Sequence, residues 1–296
     1  MQVNQFVDPS IISQLRNEPS QNYIQWPNIM VTAKSNRYYK QIPESALSVF
    51  TNKKGNANIH LKGQKRRICE EIFMLVNPFE NFEYEIKEEV FCQNIHFEWD
   101  FFQNVTNTLL SDDDELLEYP NKSLTGDLVM SQLHFKDEEL QTVLKTYDKD
   151  DEQSFFMDVL TVLLQRDDNT KKQISKVPSK KQSTKKELFQ RMILAKDMIF
   201  SCYDNAKFSI SQISDAVAMS HFHFLRVFKQ VYGLSPGKML KHIRLERARF
   251  LLKNSELPVN EIAMKVGFEE SNSIYPLLKK QLHTTPMQYR EISNFQ

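Results

Sequence analysis

The chain has 296 residues, 41% of them hydrophobic and 26% charged, and its 38 Lys and Arg residues equal its 38 Asp and Glu residues in number. This composition is that of a globular chain long enough for two hydrophobic cores, and it excludes a disordered protein. The longest nearly apolar run, FFMDVLTVLL (155–164), is too short for a transmembrane helix, and the 3 cysteines have neither disulfide nor zinc spacing.

Charge is unevenly distributed along the chain. Residues 1–165 contain 15 Lys and Arg against 26 Asp and Glu, a net charge of −11. Residues 166–296 contain 23 against 12, a net charge of +11. The asymmetry indicates that only the C-terminal part meets a polyanion, although two domains that merely differ in surface charge give the same pattern.

The N-terminal half has the pattern of an antiparallel β domain. Its first residues, MQVNQFVDPS, lack a basic and then apolar leader, so we expect no signal peptide and a cytoplasmic protein with reduced thiols. Short runs of β-branched and aromatic residues then alternate with turn signals, which favours a barrel or a sandwich. The predicted strands are IMVT (29–32), LSVF (47–50), ANIHL (57–61), IFMLV (72–76), FEYEI (82–86) and VFCQNIHF (90–97).

Helical spacing replaces the strand pattern further along the chain. Two amphipathic helices are predicted, one from Leu140, Val143, Leu144 and Tyr147 and one from Phe156, Val159, Leu160 and Leu163. They either pack on the β domain or pair with a second subunit. Residues 166–186 are polar and rich in lysine, which predicts a linker. A long helix follows, with an apolar stripe of Leu188, Met192, Ala195, Ile199 and Cys202.

Residues 209–290 contain an internal repeat. Its first members are Ile210, Ile213 and Val217 in one copy and Val259, Ile262 and Val266 in the other, at an offset of 49 residues. Each copy is predicted to be a short helix, a tight turn and a second helix, followed by the N-cap of another helix. The start signals are Ser209 with Gln212, Ser235-Pro236, and Thr285-Pro286 with Gln288.

A short helix, a turn and a second helix make a helix-turn-helix, whose second member lies in the DNA major groove. The segment between the copies, MLKHIRLERARFLL (239–252), predicts one rigid connecting helix. Two such motifs on a rigid spacer would meet successive major grooves on one face of the duplex, about 34 Å apart.

Three segments of this region, taken together, resemble the DNA-binding domain of the AraC/XylS family of bacterial transcription regulators over residues from about 187 to 292. They are AMSHFHFLRVFKQVYGLSP (218–236), RLERARFLL (244–252) and NEIAMKVGFEESNSIYPLLKKQLHTTPMQYR (260–290). The resemblance implies an α+β multidomain protein. An N-terminal cupin-like β-barrel with dimerisation helices would precede a C-terminal all-α domain with two helix-turn-helix motifs joined by the connecting helix.

The implied domain bounds follow from the layout. Residues 1–165 would form the sensor and dimerisation domain, with the barrel at about 20–100 and the helices at about 100–165. Residues 166–186 would be the linker and 187–296 the DNA-binding domain, whose motifs span about 209–233 and 258–283. The implied function is a dimeric, sequence-specific transcription regulator, not an enzyme. Its partners would be double-stranded promoter DNA, a second copy, RNA polymerase and a small-molecule effector of unnamed identity, with no membrane, metal or cofactor.

The resemblance also points to residues that would contact DNA. Phe222, Leu225 and Arg226 match the positions through which family members commonly read bases. The expected exposed faces add His221 and Lys229 in the first recognition helix, and in the second Ser271, Asn272, Tyr275, Lys279 and Lys280. Arg226 could pair with guanine and Asn272 with adenine, whereas lysines would reach phosphates. Alternatively, Arg226 forms a salt bridge within the domain, and Phe222 and Leu225 pack against the connecting helix.

Two positions depart from the family's pattern. Pro276 stands where family members often carry an arginine, and His283 where they often carry a helix-ending glycine. A proline is tolerated only in the first turn of a helix, so we predict a second recognition helix that is intact but starts late. His283 is expected to adopt a left-handed conformation.

Two other functions remain open on the sequence alone. One is a cupin-type enzyme fused to a DNA-targeting helical module, against which His60 and His96 count because they stand apart from one another and from any metal-binding motif. The other is a ligand-independent regulator controlled through protein partners.

Overall fold

The computed structural model describes residues 26–110, 131–148 and 150–294. The chain divides into two compact units, Met1–Lys172 and Gln173–Gln296. The predicted absence of a signal peptide concerns residues outside the described ranges. None of the described helices is long and apolar enough to cross a membrane.

The N-terminal unit contains two antiparallel sheets. Their strands are β1 (Ile29–Ser35), β2 (Tyr38–Ile42), β3 (Leu47–Phe50), β4 (Asn52–Lys54), β5 (Ala57–Leu61), β6 (Gln64–Ile68), β7 (Ile72–Val76), β8 (Phe82–Ile86), β9 (Val90–Phe97) and β10 (Gln132–Phe135). The first sheet has the order β1-β9-β3-β7-β10, with β4 also paired to β9. The second has the order β2-β8-β5-β6.

The alternation of side chains fixes the register of the second sheet. On β8, Phe82, Tyr84 and Ile86 are buried, while Glu83 and Glu85 between them are half-buried. Successive side chains of a strand point to opposite faces, so a slip by one residue would bury the two carboxylates. The observed register pairs Tyr84 with Ile59 of β5, which is fully buried.

All six predicted strands are present. The four that the sequence did not predict, β2, β4, β6 and β10, are short or carry mostly polar residues, as in YYKQI and QKRRI. Such strands form because a neighbour supplies the hydrogen-bond ladder, and their own hydrophobic pattern is too weak to identify them.

Three helices complete the described part of this unit: α1 (Trp99–Leu110), α2 (Glu138–Lys145) and α3 (Glu152–Ser175). The apolar face of α3 packs on the first sheet, with the Phe156 and Phe97 rings 5.8 Å apart. Both predicted helices are therefore present, and α3 covers the sheet rather than projecting from it. Helix α1 was not predicted.

The described residues of the C-terminal unit form helices joined by short loops. Its helices are α4 (Gln182–Cys202), α5 (Ile210–Ala216), α6 (His221–Tyr232), α7 (Pro236–Asn254), α8 (Val259–Lys265), α9 (Ile274–Leu282) and α10 (Pro286–Asn294). A short 3-10 turn, Ser271–Ser273, precedes α9.

The predicted linker is largely helical, which the sequence interpretation missed. Helix α3 continues to Ser175 and α4 begins at Gln182, so only residues 176–181 connect them. Lys and Gln are good helix formers, and a helix nucleated by packed neighbours extends through them without an apolar stripe of its own. Cys69, Cys92 and Cys202 are not joined by disulfide bonds, in agreement with the expected reduced thiols.

Candidate nucleic-acid interface

The first helix-turn-helix comprises α5 and α6. Helix α5 starts as predicted, with the Ser209 backbone N–H donating to Oε1 of Gln212 at 3.0 Å. The turn contains Ala218 at φ 51°, in the left-handed region that disfavours residues with a Cβ atom. Backbone bonds hold this turn, including Met219 N–H to the Ser214 carbonyl at 3.0 Å.

One face of α6 forms the core of the motif and anchors the helix. Phe224, Val227, Phe228 and Val231, which recur at helical spacing, are at most 1% exposed. The helix ends at Gly233, at φ 78°, whose N–H donates to the Lys229 carbonyl at 2.8 Å. A glycine takes this left-handed cap without steric cost.

The opposite face of α6 is open. His221, Phe222, Arg226 and Lys229 are exposed, and Leu225 is half-buried. Phe222 is 85% exposed, so it does not pack against the connecting helix as the alternative required. The side chain of Arg226 makes no ion pair with any residue in the described ranges, which removes the alternative of a salt bridge there.

Helix α7 connects the two motifs as one unbroken segment. Its start is capped as predicted, with Lys238 N–H donating to Oγ of Ser235 at 3.4 Å and Pro236 as the first helical residue. Its 19 residues span about 28 Å at 1.5 Å per residue. Leu240, Ile243 and Ala248 are buried along it.

The second helix-turn-helix comprises α8, the 3-10 turn and α9. Gly267 lies in the turn after α8 at φ 87°, at the position that corresponds to Ala218 in the repeat. Ile274 and Leu278 of α9 are fully buried against a cluster that includes Val266 and Leu252. The predicted capping box at the start of α10 also forms. Thr285 N–H donates to Oε1 of Gln288 at 3.2 Å, and Gln288 N–H donates to Oγ1 of Thr285 at 3.3 Å.

The prediction for Pro276 is confirmed. Helix α9 begins at Ile274, so Pro276 is its third residue and lies within the first turn. An N–H in that turn has no intrahelical acceptor, so proline loses no helical hydrogen bond there. The 3-10 turn before it is closed by Ser273 N–H donating to the Glu270 carbonyl at 3.1 Å. His283 ends the helix at φ 55°, in the left-handed conformation expected of it.

The outer face of α9 and of the turn before it is polar and basic. Asn272, Tyr275, Lys279 and Lys280 are exposed, with Tyr275 at 42%. Ser271 begins the 3-10 turn, and its side chain lies outside the described residues. The structure therefore places four of the five predicted residues of this motif at exposed positions along α9 and the turn before it.

Two arginines that the sequence interpretation did not select hold the turns in place. Arg191 of α4 donates to the carbonyls of Val217 and Ala218 at 3.4 and 3.1 Å. Arg244 of α7 donates from Nε to the Tyr203 carbonyl at 2.7 Å and from Nη2 to the Asn205 carbonyl at 3.1 Å. The signal available in the sequence was an arginine placed among the apolar positions of a helix.

The loop that Arg244 holds also supports the second motif. A Cβ atom at Gly267 would lie 2.4 Å from the Tyr203 carbonyl oxygen, so the turn after α8 packs directly on this loop. Burial lowers the pKa of Arg244, and nearby Asp204 and Glu269 oppose that shift by favouring its charge. The guanidinium also lies 5.7 Å from the ring centroid of Phe268.

One group of possible metal ligands occurs in the described part of the N-terminal unit. Cys69, Glu70 and Glu71 have ligand atoms within 4.8 Å of one another. All three have protein partners, since Gly55 N–H donates to Oε1 of Glu70 at 2.8 Å and the Cys69 thiol donates to Oε2 of Glu71 at 3.6 Å. These partners assign the group a structural role. His60 is not isolated, because its Nε2 lies 3.4 Å from Oε2 of Glu85.

Comparison with known proteins gives matches to the C-terminal unit. Residues 213–292 match the family model of a helix-turn-helix domain. An uncharacterised helix-turn-helix-type transcriptional regulator of Haemophilus influenzae is 38% identical over 82 residues, which are 28% of this chain and 28% of that protein. The transcriptional regulator MtrA of Neisseria gonorrhoeae is 36% identical over 85 residues, 29% of this chain and 28% of that protein.

Among solved structures, the C-terminal domain of the two-component response regulator yesN from Fusobacterium nucleatum is 34% identical. That comparison covers 33% of this chain and 94% of the other, with a TM-score of 0.32. The chain spans less than a third of the length of the curated relatives it matches, at 28% of each. The names of these relatives are those of transcription regulators, not of enzymes.

Proposed function

We propose that the whole chain is a sequence-specific regulator of the AraC/XylS type, which reads promoter DNA with α6 and clamps it with α9. The proposal builds on the match of residues 213–292 to the model of a helix-turn-helix domain. The observation that carries the proposal is the open face of α6. There an arginine without an ion pair in the described residues lies one helical turn from a phenylalanine that is 85% exposed.

The roles on α6 follow from its chemistry. Arg226 would donate two hydrogen bonds to O6 and N7 of a guanine, a pair that discriminates by about 1–3 kcal/mol. Phe222 and Leu225 have no hydrogen-bonding group in their side chains, so they would contact thymine methyl groups. His221 and Lys229, at the two ends of this face, would donate to phosphates.

The roles on α9 are mainly positional. Lys279 and Lys280 would bind phosphates, which fixes orientation and carries no sequence information. Asn272 could pair with an adenine, and Ser271 and Tyr275 would donate hydroxyls to the backbone. Because Pro276 has no donor, the second motif would read fewer bases than the first.

The N-terminal unit would be the sensor and the dimerisation domain of residues 1–165, joined by residues 166–186 to a DNA-binding domain of residues 187–296. Its two sheets would form the cupin-like barrel, and the exposed side of its helical part would contact a second subunit. A signal there, from a small-molecule effector or from RNA polymerase, would change how the two C-terminal domains of a cytoplasmic homodimer are held. Linked domains gain avidity only when both can engage DNA at once, so a change in geometry suffices to switch occupancy.

The proposal is tested by selecting binding sites from a pool of random duplexes with the full-length protein at about 0.15 M salt. We expect a recurring motif after a few rounds, and a duplex that carries it to bind at least about a thousandfold tighter than random DNA. A pool that yields no motif, with affinity equal to that of random DNA, would contradict the proposal.

A further inference from the structure

A cavity of about 120 Å³ lies in the N-terminal unit. Buried Leu47 and Phe97 of the hydrophobic core line its deep end. The residues that line it are Trp26, Glu44, Ser45, Ala46, Leu47, Pro78, Phe79, Phe97, Glu98, Trp99 and Asp100.

The lining has an unusual combination of aromatic rings and carboxylates. Four of its side chains are aromatic, and two of these, Trp26 and Trp99, are the only tryptophans of the chain. Three others, Glu44, Glu98 and Asp100, carry carboxylates, and the described residues that line the cavity include no lysine, arginine or histidine. A cavity for an anion or a neutral lipid would not be lined by three acidic side chains without a cation among them.

The aromatic walls are held in place by the backbone. Phe79 has φ 64°, which is strained for a bulky residue, and its side chain is 53% exposed. Phe79 N–H donates to the Ser45 carbonyl at 2.8 Å, and Ser45 N–H donates to the Glu80 carbonyl at 3.1 Å. These bonds hold the Phe79 ring 5.4 Å from that of Trp99, at an angle of 67°.

The segment of the second tryptophan, Trp26, is held in place as well. The Glu98 backbone N–H donates to Oδ1 of Asn28 at 3.0 Å, which ties the segment of Trp26 to that of Trp99. The Trp26 ring also lies 4.5 Å from the ring of His96. The walls are therefore formed before any ligand arrives, which lowers the entropic cost of binding.

We propose that this cavity binds a small quaternary ammonium compound. The faces of tryptophan and phenylalanine attract a cation through their quadrupole, and a quaternary nitrogen needs no hydrogen-bond partner inside an aromatic wall. The three carboxylates add long-range attraction for the positive charge. If the chain is the regulator proposed above, such a compound is its effector; the binding itself does not depend on that function.

The two tryptophans make the binding directly measurable, because they are the only ones in the chain and both line the cavity. Full-length protein is titrated with choline and, in parallel, with 3,3-dimethylbutan-1-ol, which replaces the charged nitrogen by carbon at nearly the same size. We expect a saturable change in tryptophan fluorescence with choline and binding of the alcohol at least about tenfold weaker. Equal affinity for both compounds, or no saturable change with choline, would overturn the proposal.

Variants locate the site by calorimetry, which does not depend on the tryptophan signal. Glu98→Gln and Asp100→Asn keep size and shape, and each should weaken choline binding about threefold to tenfold. Trp99→Ala should weaken it more than tenfold. Glu88→Gln, which removes an exposed carboxylate outside the cavity, is the matched control and should leave the affinity unchanged. If Glu88→Gln weakened choline binding as much as Glu98→Gln, the result would contradict binding in this cavity.

Choline binding and sequence-specific DNA binding are tested by separate measurements. Choline binding is measured without DNA, so it stands or falls independently of sequence-specific DNA binding. The role of the compound as effector is then tested by measuring the affinity of the selected duplex with and without saturating choline. An unchanged affinity would overturn that role.

Discussion

At the scale of single residues, the open face of α6 carries the chemistry that the proposed function requires for two ways of recognising a base. Arg226 offers a planar set of donors that matches the two acceptors of guanine, and it does not have to leave an ion pair with any described residue to do so. Phe222 offers apolar area that no described neighbour covers. A hydrogen-bonding and an apolar contact one helical turn apart distinguish a G·C pair next to a T·A pair from other steps.

Replacing Arg226 by alanine should therefore relax sequence preference. The preferred duplex should lose about 1–3 kcal/mol of binding free energy, whereas random DNA loses much less. The measurement is a competition titration with duplexes that differ at one guanine.

Lys279→Ala is the matched control for that variant. It should weaken all duplexes alike and reduce the slope of log K against log salt by about 0.9. A uniform loss with Arg226→Ala, of the kind expected for Lys279→Ala, would contradict base recognition by Arg226.

His96 sets a pH dependence in the N-terminal unit. Burial lowers the pKa of His96 to about 3, and its Nδ1 lies 2.8 Å from Oγ of Ser48. In the unfolded chain a histidine has a pKa of about 6.5, so between these values the unfolded state binds more protons. The free energy of unfolding should thus be independent of this group above pH 6.5 and fall below it, by up to about 1.4 kcal/mol per pH unit.

His96→Gln should flatten that fall. Urea unfolding between pH 8 and 4.5, followed by the fluorescence of Trp26 and Trp99, measures it in the N-terminal unit alone. The two proteins should show parallel curves above pH 7 and diverge below. Parallel curves over the whole range would show that His96 does not carry the effect.

At the scale of elements, the turn after α8 is the most constrained part of the C-terminal unit. Gly267 combines a positive φ with a Cβ position only 2.4 Å from the Tyr203 carbonyl oxygen. Gly267→Ala should lower the free energy of unfolding of this unit by about 1–3 kcal/mol, because either the backbone strain or the contact must be relieved by movement. Chemical denaturation followed by far-ultraviolet circular dichroism measures the change.

Gly237 provides the control within the same unit. It lies in the first turn of α7 with open space around its Cβ position and no positive φ. Gly237→Ala should raise the free energy of unfolding by up to about 1 kcal/mol through the lower entropy of the unfolded chain. Destabilisation of both variants to the same degree would contradict the packing of the Gly267 turn on the Tyr203 loop.

Elements with a strong local signal could be predicted from the sequence, and the others could not. The apolar runs of β3, β7 and β9, the caps at Ser235 and Thr285, and the late start of α9 follow from period, hydroxyl position and the chemistry of proline. The helix over residues 166–175 did not, because its signal is the continuation of α3 and not a periodicity. The left-handed Ala218 was equally invisible, since only tertiary contacts such as those of Arg191 justify an alanine there.

The same limit applies to the candidate sites. The exposed face of α6 could be predicted because the buried stripe on its other side is periodic. The wall that combines Trp26, Phe79 and Trp99 could not, because these residues are far apart in sequence and meet only through the bonds of Ser45 and Asn28.

At the scale of the whole molecule, the unbroken α7 fixes the spacing of the two reading helices. A rigid connection of about 28 Å allows both motifs to meet successive major grooves only on one face of the duplex. Inserting about five base pairs between the two contacted segments should therefore weaken binding to that of a single motif, since the second segment turns to the opposite face.

An insertion of about ten base pairs separates rotation from distance. It returns the second contacted segment to the original face of the duplex but doubles its distance from the first. The affinity should therefore stay low if α7 is rigid. Gel-shift titration of the three duplexes measures this, and full recovery with the longer insertion would indicate that the connection between the motifs stretches.

The place of Pro276 in the first turn of α9 has a consequence for how this regulator evolves. An exposed third residue of a helix accepts almost any side chain, and a proline codon becomes an arginine codon by a single base substitution. If the chain is the proposed regulator, its second motif would therefore stand one mutation from a second guanine contact, with no refolding in between. Populations selected to recognise an altered promoter should return Pro276→Arg among their earliest changes, which sequencing of the selected clones would reveal.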